Sequence, residues 1–176
     1  MTKQLTIRQE TPDDFENVFN LNQIAFGQDN EAKLVDSLRR NLKVFVPELS
    51  IVATENNKIV GHILFTKINI KNDKGNLFES LGLAPIAVSP ELQKKGIGGQ
   101  LIRTGLETAK KLGFTSVIVL GHENYYPKFG FEPAEKWNIK VPFDVPTTAF
   151  MAIELEQDAL KNTTGTVIYP KEFETV

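Results

Sequence analysis

From Pro85 to Gly99 the chain reads Pro85-Ile86-Ala87-Val88-Ser89-Pro90-Glu91-Leu92-Gln93-Lys94-Lys95-Gly96-Ile97-Gly98-Gly99: an apolar strand, a polar turn, then glycines leading into a helix. A glycine-rich turn at the head of a helix gathers unpaired backbone N–H groups at the positive end of the helix dipole. That is a ready site for a phosphate or pyrophosphate. Glycine suits it because a Cβ obstructs close approach and many such turns need positive φ. Lys94 and Lys95 add positive charge. Spacing excludes two common phosphate motifs. No Lys-Ser or Lys-Thr follows the glycines, as a P-loop requires, and the third glycine of a dinucleotide fingerprint counted from Gly96 falls on Leu101. A seven-residue turn also separates Val88 from Gly96.

Beyond the turn, Ile102, Leu106, Ala109 and Leu112 share one helical face. They predict a helix over Leu101–Leu112, with Lys110 and Lys111 at its negative end and Gly113 as its cap. The β-branched run Ser116–Leu120 predicts a buried parallel strand, and a short helix is expected over about Asn124–Phe129. Before the turn, Leu77–Val88 is expected as a strand. Leu49–Thr54 and Ile59–Ile70 read as a hairpin about Glu55-Asn56-Asn57-Lys58. Leu5–Arg8 alternates like a first strand. Thr11-Pro12-Asp13-Asp14 opens a helix, and Phe15, Val18, Phe19, Ile24 and Phe26 suit one that ends near Gly27. A second helix is predicted over Glu31–Asn41, with Leu34, Val35 and Leu38 inward. Further strands are expected at Asn138–Val141, Ala149–Leu155 and Thr166–Tyr169. No repeat or linker interrupts the series, so residues 1–176 read as one α+β or α/β domain with a mixed sheet.

Composition narrows the function. The net charge is −2 with no block of like charge, which argues against nucleic acid as the main partner. There is no cysteine, which excludes disulfides, a Cys nucleophile, a Cys-linked acyl-enzyme and thiolate-held metals. The only histidines are His62 and His122, and no H-E-x-x-H pattern exists, so no metal is expected. Met1–Glu10 is polar, and no apolar run approaches the roughly 20 residues of a membrane span. The expected location is the cytoplasm, with no membrane partner. Twelve phenylalanines against the single Trp137 predict an aliphatic core with Phe packing.

Gln93-Lys94-Lys95-Gly96-Ile97-Gly98 follows the pattern Q/R-x-x-G-x-G/A and resembles the pyrophosphate loop of the GCN5-related N-acetyltransferase (GNAT) family. The preceding Ala87-Val88-Ser89-Pro90, the length of the following helix, and Asn124 followed by Tyr126-x-x-x-Gly130-Phe131 match the same family over nearly the whole chain. The run from Leu120 to Phe131, with Val141-Pro142-Phe143-Asp144-Val145-Pro146 and Ala149-Phe150-Met151-Ala152, is most similar to a bacterial subgroup of acetyltransferases.

The resemblance implies the GNAT fold: a central mixed, largely antiparallel sheet of about seven strands, with a parallel splayed pair and flanking helices. It implies acetyl-CoA as cosubstrate, no metal, and direct transfer of the acetyl group in a ternary complex to a primary amine of a small molecule or protein. The splayed pair would be Leu83–Val88 and Ser116–Leu120. Backbone groups of Ile86, Ala87 and Val88 would pair with the pantetheine amides and polarise the thioester carbonyl. Gln93, Lys94, Lys95, Gly96, Ile97, Gly98 and Gly99 would hold the pyrophosphate. Asn124 would hold the pantetheine arm, or serve as a helix N-cap. Tyr126 would protonate the departing thiolate, or pack beside Tyr125 in the cleft wall. The general base stays open among Glu79, His122, Glu123, Asp144 and solvent. The acyl-CoA core is placed at about 77–131 and the acceptor side at 11–45 and 132–176. Homodimers are common in the family. A competing reading is a non-catalytic acyl-CoA-binding regulatory module on the same fold. A more remote one is a structural domain whose loop binds another anion.

Overall fold

A computed structural model describes residues 3–175; Met1 and Thr2, which head the polar N-terminal stretch, and Val176 lie outside the described residues. Nine strands form one sheet. They are β1 Leu5–Gln9, β2 Phe45–Glu55, β3 Lys58–Lys71, β4 Leu77–Val88, β5 Ser116–Leu120, β6 Glu132–Pro133, β7 Ile139–Lys140, β8 Phe150–Glu154 and β9 Gly165–Ile168. The three α-helices are α1 Phe15–Phe26, α2 Asn30–Arg39 and α3 Ile97–Lys111. The strand order is β1-β2-β3-β4-β5-β8-β6, and β9 pairs with β3 and β7. Among the described residues only β4–β5 and β7–β9 run parallel. The sheet has nine strands rather than about seven: β7 falls within the strand expected at Asn138–Val141, whereas β6, two residues long, is too short for any alternation to show.

The β2–β3 hairpin turns on Asn56 (φ 51°) and Asn57 (φ 63°), the two positive-φ positions of a type I′ turn. That turn sets the register Glu55↔Lys58. Strand alternation then serves two cores. Ile51, Ala53, Ile63 and Phe65 pack with Leu101 and Ile102 of α3 on one face. Val52 and Leu64 pack with Val18 of α1 and Leu34, Val35 and Leu38 of α2 on the other. Both faces are covered, so β2 and β3 read as near-continuous apolar runs. Phe65 and Phe131 are among the largest fully buried side chains, in keeping with Phe packing in an aliphatic core.

The helices depart from expectation in four places. In α1, Val18, Leu21 and Asn22 are buried, whereas Ile24 is 64% exposed and Phe26 40%. α3 begins at Ile97, not Leu101, because Gly96 adopts φ +88° and starts the helix inside the glycine run. Low glycine propensity makes that first turn read as loop. At its other end Leu112 lies on the surface, and Leu101, Ile102, Gly105 and Ala109 carry the packed face. The short helix expected at Asn124–Phe129 is a single 3-10 turn, Tyr126–Phe129, with Tyr125 and not Asn124 at its N-cap. Pro127 is the second residue of that turn and Gly130 (φ +102°) ends it, leaving no length for an α-helix.

Candidate active site

β4 and β5 pair at only two positions, Leu81↔Val117 and Gly82↔Ile118. Beyond them the strands part, although β4 continues to Val88 and β5 to Leu120. The buried hydroxyls of Ser80 and Ser116, 2.6 Å apart, tie the closed end. On the other edge of β4, Ile63↔Ile86 and Phe65↔Leu83 leave Ala84 and Pro85 opposite Leu64 alone. Proline, which has no N–H, suits such a bulge. A cleft of about 980 Å³ occupies the wedge. Gly82 to Ile86, Ile118, Leu120 and Tyr126 line one part of it. Phe26, Glu31, Phe143, Tyr169, Phe173 and Glu174 line the other.

The glycine turn adjoins the open end of β4. No side chain caps α3, and the first backbone N–H to find a helical partner is that of Gln100, donated to the Gly96 carbonyl at 3.1 Å. The amides of Ile97, Gly98 and Gly99 thus head the helix without intrahelical acceptors. A Cβ on Gly98 would lie 3.0 Å from the Tyr125 hydroxyl and 3.8 Å from Ile86 and Val88. Gln93 Nε2 donates to the Val88 carbonyl at 3.2 Å, fastening the turn to the strand. Lys94 and Lys95 are exposed.

Tyr126 is 7% exposed and packs edge-on against Tyr125 and Phe131, at centroid distances of 5.2 and 5.6 Å. Burial, helped by Tyr125, pushes its phenol up to about 12. It therefore keeps its proton at neutral pH. Gly121 makes room for the ring: a Cβ there would sit 2.4 Å from Tyr126 Cε2. The sequence reading did not single out Gly121, whose role depends on a ring five residues further along.

Of the residues singled out from sequence, Ile86 and Tyr126 line the cleft. Gly98 abuts Ile86 and Val88, and Ala87 is buried in register with His62. Glu79, His122, Glu123, Asn124 and Asp144 are exposed and do not line the cleft. Its carboxylates are instead those of Glu31 and Glu174. Both oxygens of Glu31 accept from Gln28 Nε2, at 2.9 and 3.1 Å. Nothing local in the sequence marks these two glutamates.

The acetyltransferase (GNAT) domain family matches residues 6–134. The chain belongs to the GNAT acetyltransferases. This GNAT chain is 45% identical over 123 residues to the N-acetyltransferase YjhQ of Escherichia coli K12, across 69% of its own length and 67% of YjhQ. It is 31% identical over 170 residues to E. coli YhbS, across 96% of its length and 98% of YhbS. The crystal structure of YhbS in complex with CoA superimposes with a TM-score of 0.90 at 30% identity, over 99% of this chain and 94% of that one. A Brucella melitensis GNAT acetyltransferase in complex with acetyl-CoA gives 0.79 at 30% identity, over 97% and 98%. The fold is therefore the GNAT fold and the chain an acyltransferase. Among the described residues no cluster of three or more His, Asp or Glu is placed to hold a metal, and no helix is long and apolar enough to cross a membrane.

A serine, a histidine and a glutamate also meet away from the cleft. Ser50 Oγ lies 2.6 Å from Glu10 Oε2 and 3.0 Å from His62 Nε2, and Arg39 pairs with Glu10. Ser50 and His62 are wholly buried, so this trio has no access to a substrate. The network assigns the tautomer. An ionised Glu10 only accepts, so Ser50 donates to it and accepts from His62 Nε2–H. His62 Nδ1 then accepts from Asn22 Nδ2 at 3.4 Å, and the other Asn22 amide hydrogen goes to the Val18 carbonyl at 3.0 Å. Burial, with the Arg39 charge, lowers His62 to about 3. The unfolded chain protonates this histidine below about 6.5 while the folded chain does not. Stability is thus expected to fall as pH drops from about 6.5 toward 3, by up to about 1.4 kcal/mol per unit from this group. Urea midpoints at pH 7, 6, 5 and 4 measure it. His62→Gln should flatten the decline, and an equal decline in that variant would assign it to other groups.

Proposed function

We infer that this chain transfers an acetyl group from acetyl-CoA to a primary amine by direct attack in a ternary complex. The observation that carries the reading is a single cleft that joins the parted β4 and β5 strands to Tyr126 and to an acceptor side bearing two carboxylates. The chain's own groups fit acetyl-CoA. Past Gly82 the edge of β4 that faces away from β3 has no strand partner, so its amides and carbonyls at Ile86 to Val88 are suited to the pantetheine amides. The uncapped amides at Ile97 to Gly99 and the open space over Gly96 suit a pyrophosphate. The parts of the chain that line the cleft support the division proposed from sequence. One wall comes from residues within 77–131 and the other from within 11–45 and 132–176.

The chemistry balances without an enzyme-bound acyl group, in keeping with a chain that has no cysteine. A substrate ammonium gives one proton to a cleft carboxylate or to water. The freed lone pair forms the N–C bond as the C–S bond breaks, and an N–H near the carbonyl oxygen stabilises the charge that gathers there. Tyr126 donates its proton to the sulfur, and the nitrogen sheds a proton that restores the phenol. The net products are the acetamide, free CoA thiol and one proton. Glu31 and Glu174 line the cleft, which favours them for the first proton over Glu79 and His122, which do not line it.

Calorimetry with acetyl-CoA, followed by a thiol-release assay with added amines, tests the reading. Micromolar binding with amine-dependent thiol release is expected. Binding without release for any amine would favour the non-catalytic acyl-CoA module, and no binding would remove the transferase reading.

A further inference from the structure

The acceptor side of the cleft has a composition that acyl transfer from coenzyme A does not itself require. Phe26, Phe143, Tyr169 and Phe173 supply four aromatic rings. Phe143 stacks on Tyr169 with centroids 6.2 Å apart and 24° between planes, and Tyr169 meets Phe173 at 5.2 Å, so three of the rings form a continuous wall. This wall is open. Phe143 is 50% exposed and its neighbour in the lining, Ile168, 44%, while Phe26 across the cleft is 40% exposed. Apolar side chains left open together at one concave place mark a surface that a ligand covers. Charge selects the ligand further. Among the described residues lining the cleft, the ionic side chains are Glu31 and Glu174, with no lysine, arginine or histidine beside them. Neutral polar side chains are few: Thr166 and Tyr169, besides Tyr126.

Each acceptor class meets this lining differently. An amino sugar buries several hydroxyls that need partners, and the lining has too few to satisfy them. A polyamine would spread further charges over an apolar wall and leave the rings bare. A peptide brings backbone groups that three neutral side chains cannot match. A flat apolar ring carrying one ammonium satisfies every feature: its face packs on the aromatic wall, and its cation meets a carboxylate and the electron-rich ring faces.

Resting on the amine-acetylation reading above, we propose that the acceptor is an arylalkylamine. Its ring lies against Phe143 and Tyr169, and its ammonium is held and deprotonated at Glu31 or Glu174. The transfer step is the one balanced above, with the arylalkylamine nitrogen as the attacking atom.

The thiol-release assay with phenethylamine, ethylamine, spermidine, glucosamine and a lysine-containing peptide tests this, alongside calorimetry with acetyl-CoA. Phenethylamine is expected to exceed ethylamine in kcat/KM by about tenfold to a hundredfold, the effect of burying one ring, and to exceed the other three acceptors. Phe143→Ala is expected to raise KM for phenethylamine by about tenfold, with the acetyl-CoA Kd at its wild-type value. Preference for spermidine, glucosamine or the peptide, or equal rates for phenethylamine and ethylamine, would overturn the proposal and leave the transferase reading standing. Acetyl-CoA binding with no thiol release from any of the five would also overturn the proposal, and would favour the non-catalytic acyl-CoA module. Absence of acetyl-CoA binding would instead show that the underlying functional reading had failed.

Discussion

Tyr126→Phe is expected to lower kcat for acetyl transfer by about 10²- to 10³-fold, with KM for acetyl-CoA within about twofold of wild type. The change removes one oxygen and keeps the ring that packs against Tyr125 and Phe131. Stability and cleft shape are therefore conserved, and the loss falls on the step in which the thiolate leaves. Burial holds the phenol at about 12, so Tyr126 remains a donor across the whole accessible pH range. Two readouts follow. The loss in Tyr126→Phe should be of similar size at pH 7 and pH 9, and no alkaline fall in wild-type kcat near pH 8 should trace to this phenol. Steady-state thiol release across pH measures both. A variant with wild-type kcat would return Tyr126 to the role of packing residue.

Gly98→Glu is expected to weaken acetyl-CoA binding by more than about 100-fold, through two effects acting at one point. The first is space. Even a Cβ there stands 3.0 Å from the Tyr125 hydroxyl and 3.8 Å from Ile86 and Val88, so a longer side chain must extend into the gap between the helix and the end of β4. The second is charge. A carboxylate on the first turn of α3 takes up the positive end of the helix dipole and the free amides that suit a phosphate. Gly98→Ala separates the two. It adds bulk without charge, against the movable end of the Tyr125 side chain, and should cost about tenfold or less. Calorimetry reads the Kd values, and a thermal melt of each variant without ligand checks that the fold is retained. A Gly98→Glu Kd within about threefold of wild type would mean that the pyrophosphate does not lie over this turn.

Some features of the chain were legible residue by residue because backbone chemistry is local. The Asn56-Asn57 turn and the limits of β4 and β5 follow from φ preferences and from where apolar runs stop. Where reading went astray, the local signal was absent or pointed two ways. β6 is too short to show a period. The first turn of α3 has the composition of a loop, and Tyr126–Phe129 holds a proline and ends at a glycine, which shorten it to one 3-10 turn.

By itself, then, the sequence determined the family, the glycine turn that opens α3 and the strand beside it, because these lie within one continuous stretch whose spacing is read directly. Only the tertiary structure decided the acceptor side. Phe26, Glu31, Phe143, Tyr169, Phe173 and Glu174 come from segments that are far apart in the chain and meet where α1 and α2 face the C-terminal strand and its following turn. Periodicity tells which residues share a face of one element, not which other element that face will meet. For the same reason Glu79 and Glu31 look equally eligible as written sequence. Packing alone puts the first on the surface and the second in the cleft.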